Sequence, residues 1–240
     1  MFRINIGRAL LACTALFAGG VLPIFMLLTS TSLAVLRRPR SMPEQMSLLH
    51  RTTGLYLRLV LLPGLALLGA VTGLSLKNFP SLANRIFVGA LAGALATIGL
   101  DAVRLWGYSQ GYMPANMPKQ FGRMITGPMG SAGEVRKSGY AYHFLNGMDF
   151  GIVYAIIVGP AHWLWGVVWG LVVWVLMMTT PPMLMSGSGP FLYRKGPGPS
   201  TVALGAHIIM GTIIGTIVKT LARPKGNLLD LLRERRGRGS

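Results

Sequence analysis

Cysteine is almost missing from this sequence: Cys13 stands alone among 240 residues, so no internal disulfide can form and no CxxC motif exists. Acidic residues are scarce as well, six Asp and Glu against 23 Lys and Arg. Charged residues of both signs make up only 12% of the chain against 52% hydrophobic residues, with a mean hydropathy of +0.53. That balance excludes an ordinary soluble domain. No Ser-His-Asp order, HExxH-type spacing, phosphate-binding glycine loop or dinucleotide fingerprint is present. The chain also does not divide into two similar halves, so the inverted-repeat pattern of many secondary transporters is missing.

What the chain has instead is apolar runs, each long enough to cross a bilayer at about 20 residues per span. They predict an all-α fold, a polytopic transmembrane helix bundle of about six spanning helices. Two N-terminal spans, 9–36 and 55–76, lie within residues 1–85. A four-helix core follows, with spans at 86–106, 140–159, 161–180 and 201–221 and a long loop at 107–139. Residues 222–240 form a basic tail that includes the amphipathic stretch 228–235. The first run exceeds the 7–15 apolar residues of a signal peptide and reads as an uncleaved anchor, bent at Pro23. Pro181-Pro182 stops the fifth run.

The net charge of +17 raises nucleic acid as a partner. The basic residues, however, sit in the connections between apolar runs, where they meet anionic headgroups of the lipid bilayer or other membrane-protein subunits; nucleic acid is set aside. Lys and Arg divide almost evenly between the two sides of a six-span arrangement, so the positive-inside rule does not orient it. The dense basic tail favours both termini in the cytoplasm, and the expected location is a cell inner membrane.

Four runs carry a small-xxx-small spacing: Gly89/Gly93, Gly147/Gly151, Gly166/Gly170 and Gly211/Gly215. In lipid, close backbone contact through such residues supplies much of helix association. Residues four apart share a helix face. Asp101 extends the Gly89–Gly93–Thr97 stripe and His207 precedes Gly211–Gly215, so both should face the bundle. The stretch 140–159 carries His143, Asn146 and Asp149 on an arc of roughly 120°. Alternating spans bring Asp101, Arg104, His143 and His207 to one leaflet, beneath the long loop with Arg123 and Glu134. His50 reads as a solvated loop residue.

This constellation supports several chemistries. Asp101, Glu134, His143 and His207 have the side chains of a zinc or non-haem iron site, with Glu134 or Asp149 as general base. Ala203-x-x-x-His207 resembles the pigment-ligand spacing of light-harvesting helices, and His143 with His207 would hold a tetrapyrrole from two helices. Asp101 and Asp149 are also suited to carry protons along a translocation path. The plain structural alternative pairs Asp101 with Arg104 or a histidine and leaves Asn146 and Asp149 bonded to neighbouring helices.

Further motifs run from Gly93…Ala96-Thr97…Asp101 through Gly122-Arg123, Gly133-Glu134 and His143…Gly147…Gly151…Tyr154. They end with Trp165-Gly166…Gly170 and His207…Gly211. On these residues the chain from Phe87 to Gly215 resembles a bacterial family of uncharacterised polytopic integral membrane proteins, a domain of unknown function. The resemblance implies that Asp101, Glu134, His143 and His207 belong together. It brings no activity. The reading that follows is an accessory or assembly subunit of a larger membrane complex, one that holds lipid or a cofactor, with a metal-dependent enzyme or a small-solute or proton transporter as alternatives.

Overall fold

The computed structural model describes residues 5–21, 41–113, 116–179 and 190–233, and among them every regular element is helical. The bend at Pro23, the stop at Pro181-Pro182 and the end of the basic tail lie outside the described residues. Helix α1 (Ile6–Leu16) runs into a π-helical turn, Phe17–Val21. Helix α2 (Met42–Tyr56) passes through a second π turn, Leu57–Leu61, into α3 (Leu62–Asn78). Then come α4 (Pro80–Ser109), α5 (Met117–Thr126), α6 (Ala132–Ile157) and α7 (Trp163–Thr179). A 3-10 segment (Pro190–Lys195) leads into α8 (Pro197–Leu221), and α9 (Leu228–Leu232) closes the described chain. Three stretches are long and apolar enough to cross a bilayer: Met46–Asn78, Pro80–Ser109 and Pro197–Leu221. Ile6–Val21 and Trp163–Thr179 are shorter apolar helices.

Two expected loops are partly helical. The polar connection before residue 55 is helix from Met42 onward, started by Ser41, whose hydroxyl accepts the Glu44 N–H at 3.3 Å. Charges interrupt the hydrophobic run there, yet Leu49 and Tyr56 are buried on one face in a cluster with Phe121 and Met124. His50 is correspondingly not a solvated loop residue, since its Nδ1 lies 3.3 Å from the Met124 carbonyl. The π turn has a local cause. Pro63 has no N–H to give, and the Leu62 N–H reaches back five residues to the Leu57 carbonyl.

The loop 107–139 contains α5 and the first two turns of α6. Helix α5 is amphipathic, with Phe121 and Met124 buried and Lys119 and Arg123 exposed. It lies close on α6: a Cβ on Gly122 would strike the Val135 carbonyl, and one on Gly139 the Pro118 carbonyl. These two glycines belong to a contact that hydropathy does not reveal.

The core consists of two antiparallel pairs. In α4–α6, a Cβ on Gly89 would sit 2.6 Å from the Gly151 carbonyl oxygen, and one on Gly93 would collide with Gly147. In α7–α8, Gly166 meets Gly211 and Gly215, and Gly170 meets the backbone of His207 and Gly211. The four glycine stripes thus interlock two by two. Helices α4 and α8 join the pairs, burying Ala92, Ala96, Ala206, Met210 and Ile214.

Arg85 falls between the expected spans 55–76 and 86–106, among the connecting cations, yet it is wholly buried on α4. Its Nη1 donates to the Ala155 carbonyl at 2.8 Å, and its Nη2 to those of Pro224 and Gly226 at 2.9 and 2.8 Å. The guanidinium therefore clasps the segment after α8 to the ends of α4 and α6. Leu231 and Leu232 of α9 then pack with Ala12 and Ala15 of α1, which places the two described chain ends together.

Candidate ligand cavity

Glycine pairing draws α4 to α6 and α7 to α8, and α4 to α8 holds the pairs side by side. Helices α6 and α7 lack such an interface. The gap between them closes at one end, where the Tyr154 and Trp169 rings stand 6.3 Å apart. Toward the other end it widens into a cavity of about 270 Å³. Its inner wall is apolar: Leu100, Phe150, Val173 and Met210 line it, with Met177 and Met178 above them. Polar side chains enter from three helices, Thr97 and Arg104 from α4, His143 and Asn146 from α6, and His207 from α8. The mouth is edged by Met113, by Met117, Gln120 and Phe121 of α5, and by Leu192 and Lys195 of the 3-10 segment.

The structure brings part of the expected constellation together. His143 Nε2 lies 2.9 Å from Asp101 Oδ1. This matches the expected pairing of Asp101 with a histidine, and it uses the i+4 stripe that turns Asp101 toward α6. His207 is buried, and its Nδ1–H donates to the Ala203 carbonyl at 2.7 Å. A carbonyl only accepts, so the neutral ring must carry its proton on Nδ1, and Nε2 keeps its lone pair. A carbonyl that accepts from one ring nitrogen in this way fixes the tautomer and orientation of a histidine whose other nitrogen ligates.

Two expected members stand apart. Glu134 is on the exposed surface at the first turn of α6, where it completes a capping box: Ser131 Oγ accepts the Glu134 N–H at 3.3 Å, and Glu134 Oε2 accepts the Ser131 N–H at 2.9 Å. The Ser131 hydroxyl, which donates to Glu134 Oε2 at 2.8 Å, and the Ser131 N–H hold the carboxyl below the usual glutamate range. Arg123 faces outward on α5. The set Asp101, Glu134, His143 and His207 is therefore not assembled. Among the described residues no group of three or more His, Cys, Asp or Glu side chains is placed to hold a metal ion.

Asn146 and Asp149 also depart from expectation. Neither Asn146 Oδ1 nor either carboxyl oxygen of Asp149 has a hydrogen-bond partner among the described residues. Asn146 faces the cavity, whereas Asp149 is buried outside its wall. An unpartnered carboxylate in such surroundings is costly.

Sequence reasoning missed Lys195 and the methionine lining. Arg194-Lys195 lies in a Gly/Pro-rich connection whose return to the bundle rests on Leu192, which is buried with Met178 and Ala203. Met113, Met117, Met177, Met178 and Met210 converge from four parts of the chain, and no spacing in the sequence unites them. Comparison with protein-family models, with curated proteins and with solved structures finds no match.

Proposed function

We propose that this chain is a six-span membrane protein that holds a ligand between its helix pairs, as an accessory or assembly subunit of a larger complex in the bacterial inner membrane, with both termini cytoplasmic. The observation that carries the reading is the cavity itself, an apolar chamber with converging polar groups between two glycine-locked helix pairs. Such chambers are the usual form of small-molecule sites in bundles. The Asp101 carboxylate is engaged by His143 and Glu134 caps a helix, so neither acidic side chain is directed into the chamber as a general base. Membrane residence is supported by the outer face of α7, where Leu164, Val168, Val172, Val175 and Leu176 are exposed together; a patch of that kind calls for lipid or a partner helix. The resemblance of residues 87–215 to uncharacterised bacterial membrane proteins is part of the same proposal.

The test is native purification in mild detergent followed by mass spectrometry of the intact particle. Co-migrating subunits and a bound small molecule are the expected result. A stable, ligand-free monomer would count against both halves of the reading.

One observation favours a second reading. The fixed Nδ1–H of His207 leaves Nε2 free to ligate a metal or tetrapyrrole, with methionine sulfurs in the same chamber. This version predicts a visible absorption band or bound metal that disappears in His207→Ala. An unchanged spectrum and metal content in that variant would sink it.

A further inference from the structure

The chamber is apolar inside and cationic at its edge; Asp101 and Tyr140 act on Arg104 electrostatically, but neither makes a hydrogen bond or close ion pair with it. Arg104 makes no hydrogen bond and no ion pair within 4 Å to any described residue, and the same is true of Lys195 at the mouth. The nearby carboxylate, Asp101, is engaged by His143 at 2.9 Å and does not line the cavity. Among the described residues no Asp or Glu lines it. Gln120 adds an amide at the mouth, and the Asn146 Oδ1 inside has no partner.

A guanidinium beside a low-dielectric void gains most from an anion that brings its own apolar body, because the charge is then paired and the void filled at once. We propose that the cavity binds an anionic amphiphile, a single-chain lipid whose carboxylate or phosphate sits between Arg104 and Lys195. Its chain runs inward along Leu100, Phe150, Val173 and Met210. The five methionines suit such a guest, since an unbranched thioether side chain adapts to a flexible chain. A chamber of about 270 Å³ accepts part of one acyl chain, so the remainder lies in the gap between α6 and α7.

This inference rests on the ligand-holding reading above, and the experiment separates the two. The full-length chain in zwitterionic nanodiscs is titrated with oleate, with lysophosphatidylglycerol, with oleyl alcohol, and with acetate and phosphate alone. Displacement of a fluorescent fatty-acid probe is the readout. Oleate or the lysophospholipid should bind at least about tenfold more tightly than the alcohol, the difference that one charged hydrogen bond supplies. Whichever of the two prevails identifies the head as carboxylate or phosphate. The Arg104→Gln/Lys195→Gln variant should erase that preference while still binding the alcohol. Ala203→Phe, which fills the chamber from α8, should abolish all binding.

Equal binding of oleate and oleyl alcohol, or a double variant that keeps the preference, overturns the anionic assignment and leaves the ligand cavity standing. Binding by small anions as tight as by oleate also overturns it, because the apolar chain then contributes nothing. If no amphiphile binds and Ala203→Phe changes nothing, the cavity reading falls as well. Melting temperatures of the variants within a few degrees of the parent show that the loss is not unfolding.

Discussion

Two buried or half-buried arginines on α4, Arg85 and Arg104, show opposite treatments of the same cation. Around Arg85 the chain has closed: the carbonyls of Ala155, Pro224 and Gly226 accept from its terminal nitrogens, and only Nε lacks a partner. Around Arg104, about five turns along the same helix, no described residue comes forward, and a cavity lies where a partner would be. A desolvated charge is tolerated when hydrogen bonds replace its water. At Arg85 the fold itself supplies them, so that end is a structural joint. Arg104 is half-buried and lines the cavity, so water or a guest supplies the hydrogen bonds, and that end has room for a guest.

The sharpest way to break the contrast is to separate α4, which carries both arginines, from α6. Gly93→Leu places a side chain onto the backbone at Gly147 and Met148. Overpacking typically costs about 1–3 kcal/mol, and a backbone collision at the centre of α4–α6 should exceed that and prevent recovery of folded protein. Gly69→Leu, on α3 where a Cβ meets nothing within 4 Å, is the matched control. Comparable yields and thermal transitions for the two would show that the glycine interface does not hold the core.

Next in size is Arg85→Met, which keeps bulk but strips three acceptors of their donor. Each buried carbonyl left without its donor costs about 1–3 kcal/mol. The effect should be local to the terminal end: residues 222–232 become sensitive to protease while ligand binding at the cavity persists. Arg104→Met is the counterpart. It removes no hydrogen bond among the described residues, so its thermal transition should stay close to the parent's. If Arg104→Met proves the more damaging of the two, the division into joint and guest site is wrong.

These two residues also show what was legible in the sequence. Arg85, Gly89, Gly93, Thr97 and Asp101 form one unbroken i+4 stripe, and the same periodicity that turned Asp101 inward would have turned Arg85 inward. Hydropathy instead sets Arg85 just outside the apolar run 86–106, among the connecting cations. The helical class and the glycine faces follow from periodicity, and the meeting of Asp101 and His143 in one leaflet from alternating spans, which leave open whether Asp101 pairs with Arg104 or a histidine. The pairing of α4 with α6 and of α7 with α8 does not follow, since four similar stripes permit several pairings. The cavity is the residue of that choice, a gap left between two well-packed pairs, and gaps have no local sequence pattern. Glu134 was misplaced for a different reason: Ser131-x-x-Glu134 is a capping box, a local signal that competes with any long-range role for the carboxylate.

Asp149→Asn sharpens the contrast from within the bundle. Neither carboxyl oxygen is answered among the described residues, and the amide is nearly the same shape, so the substitution should leave the thermal transition unchanged or raise it slightly. A fall of about 3 kcal/mol or more would instead reveal that the carboxylate meets a charged partner, the usual cost of breaking such a pair. Proton flux through proteoliposomes that depends on Asp149 would move it from packing residue to carrier.

The smallest expected effect distinguishes the two ends by pH. Ser131→Ala removes the N-cap of α6, on the cavity side of the molecule, and should cost about 1 kcal/mol. The Glu134 half of that box titrates. Its carboxyl is held below the usual glutamate range by the Ser131 hydroxyl and N–H, so the unfolded chain takes up a proton at higher pH than the folded one. The contribution of the box is therefore complete above the ordinary glutamate range, declines as the pH falls through it, and is gone once the folded carboxyl is protonated. Hydrogen exchange at the first turn of α6 should rise over that acidic window in the parent and stay flat in Glu134→Gln. The clasp at Arg85 involves a guanidinium and backbone carbonyls, so exchange near residues 222–226 should not follow the same curve. Parallel curves at both places would mean that acid loosens the bundle as a whole and that the two ends are not independent.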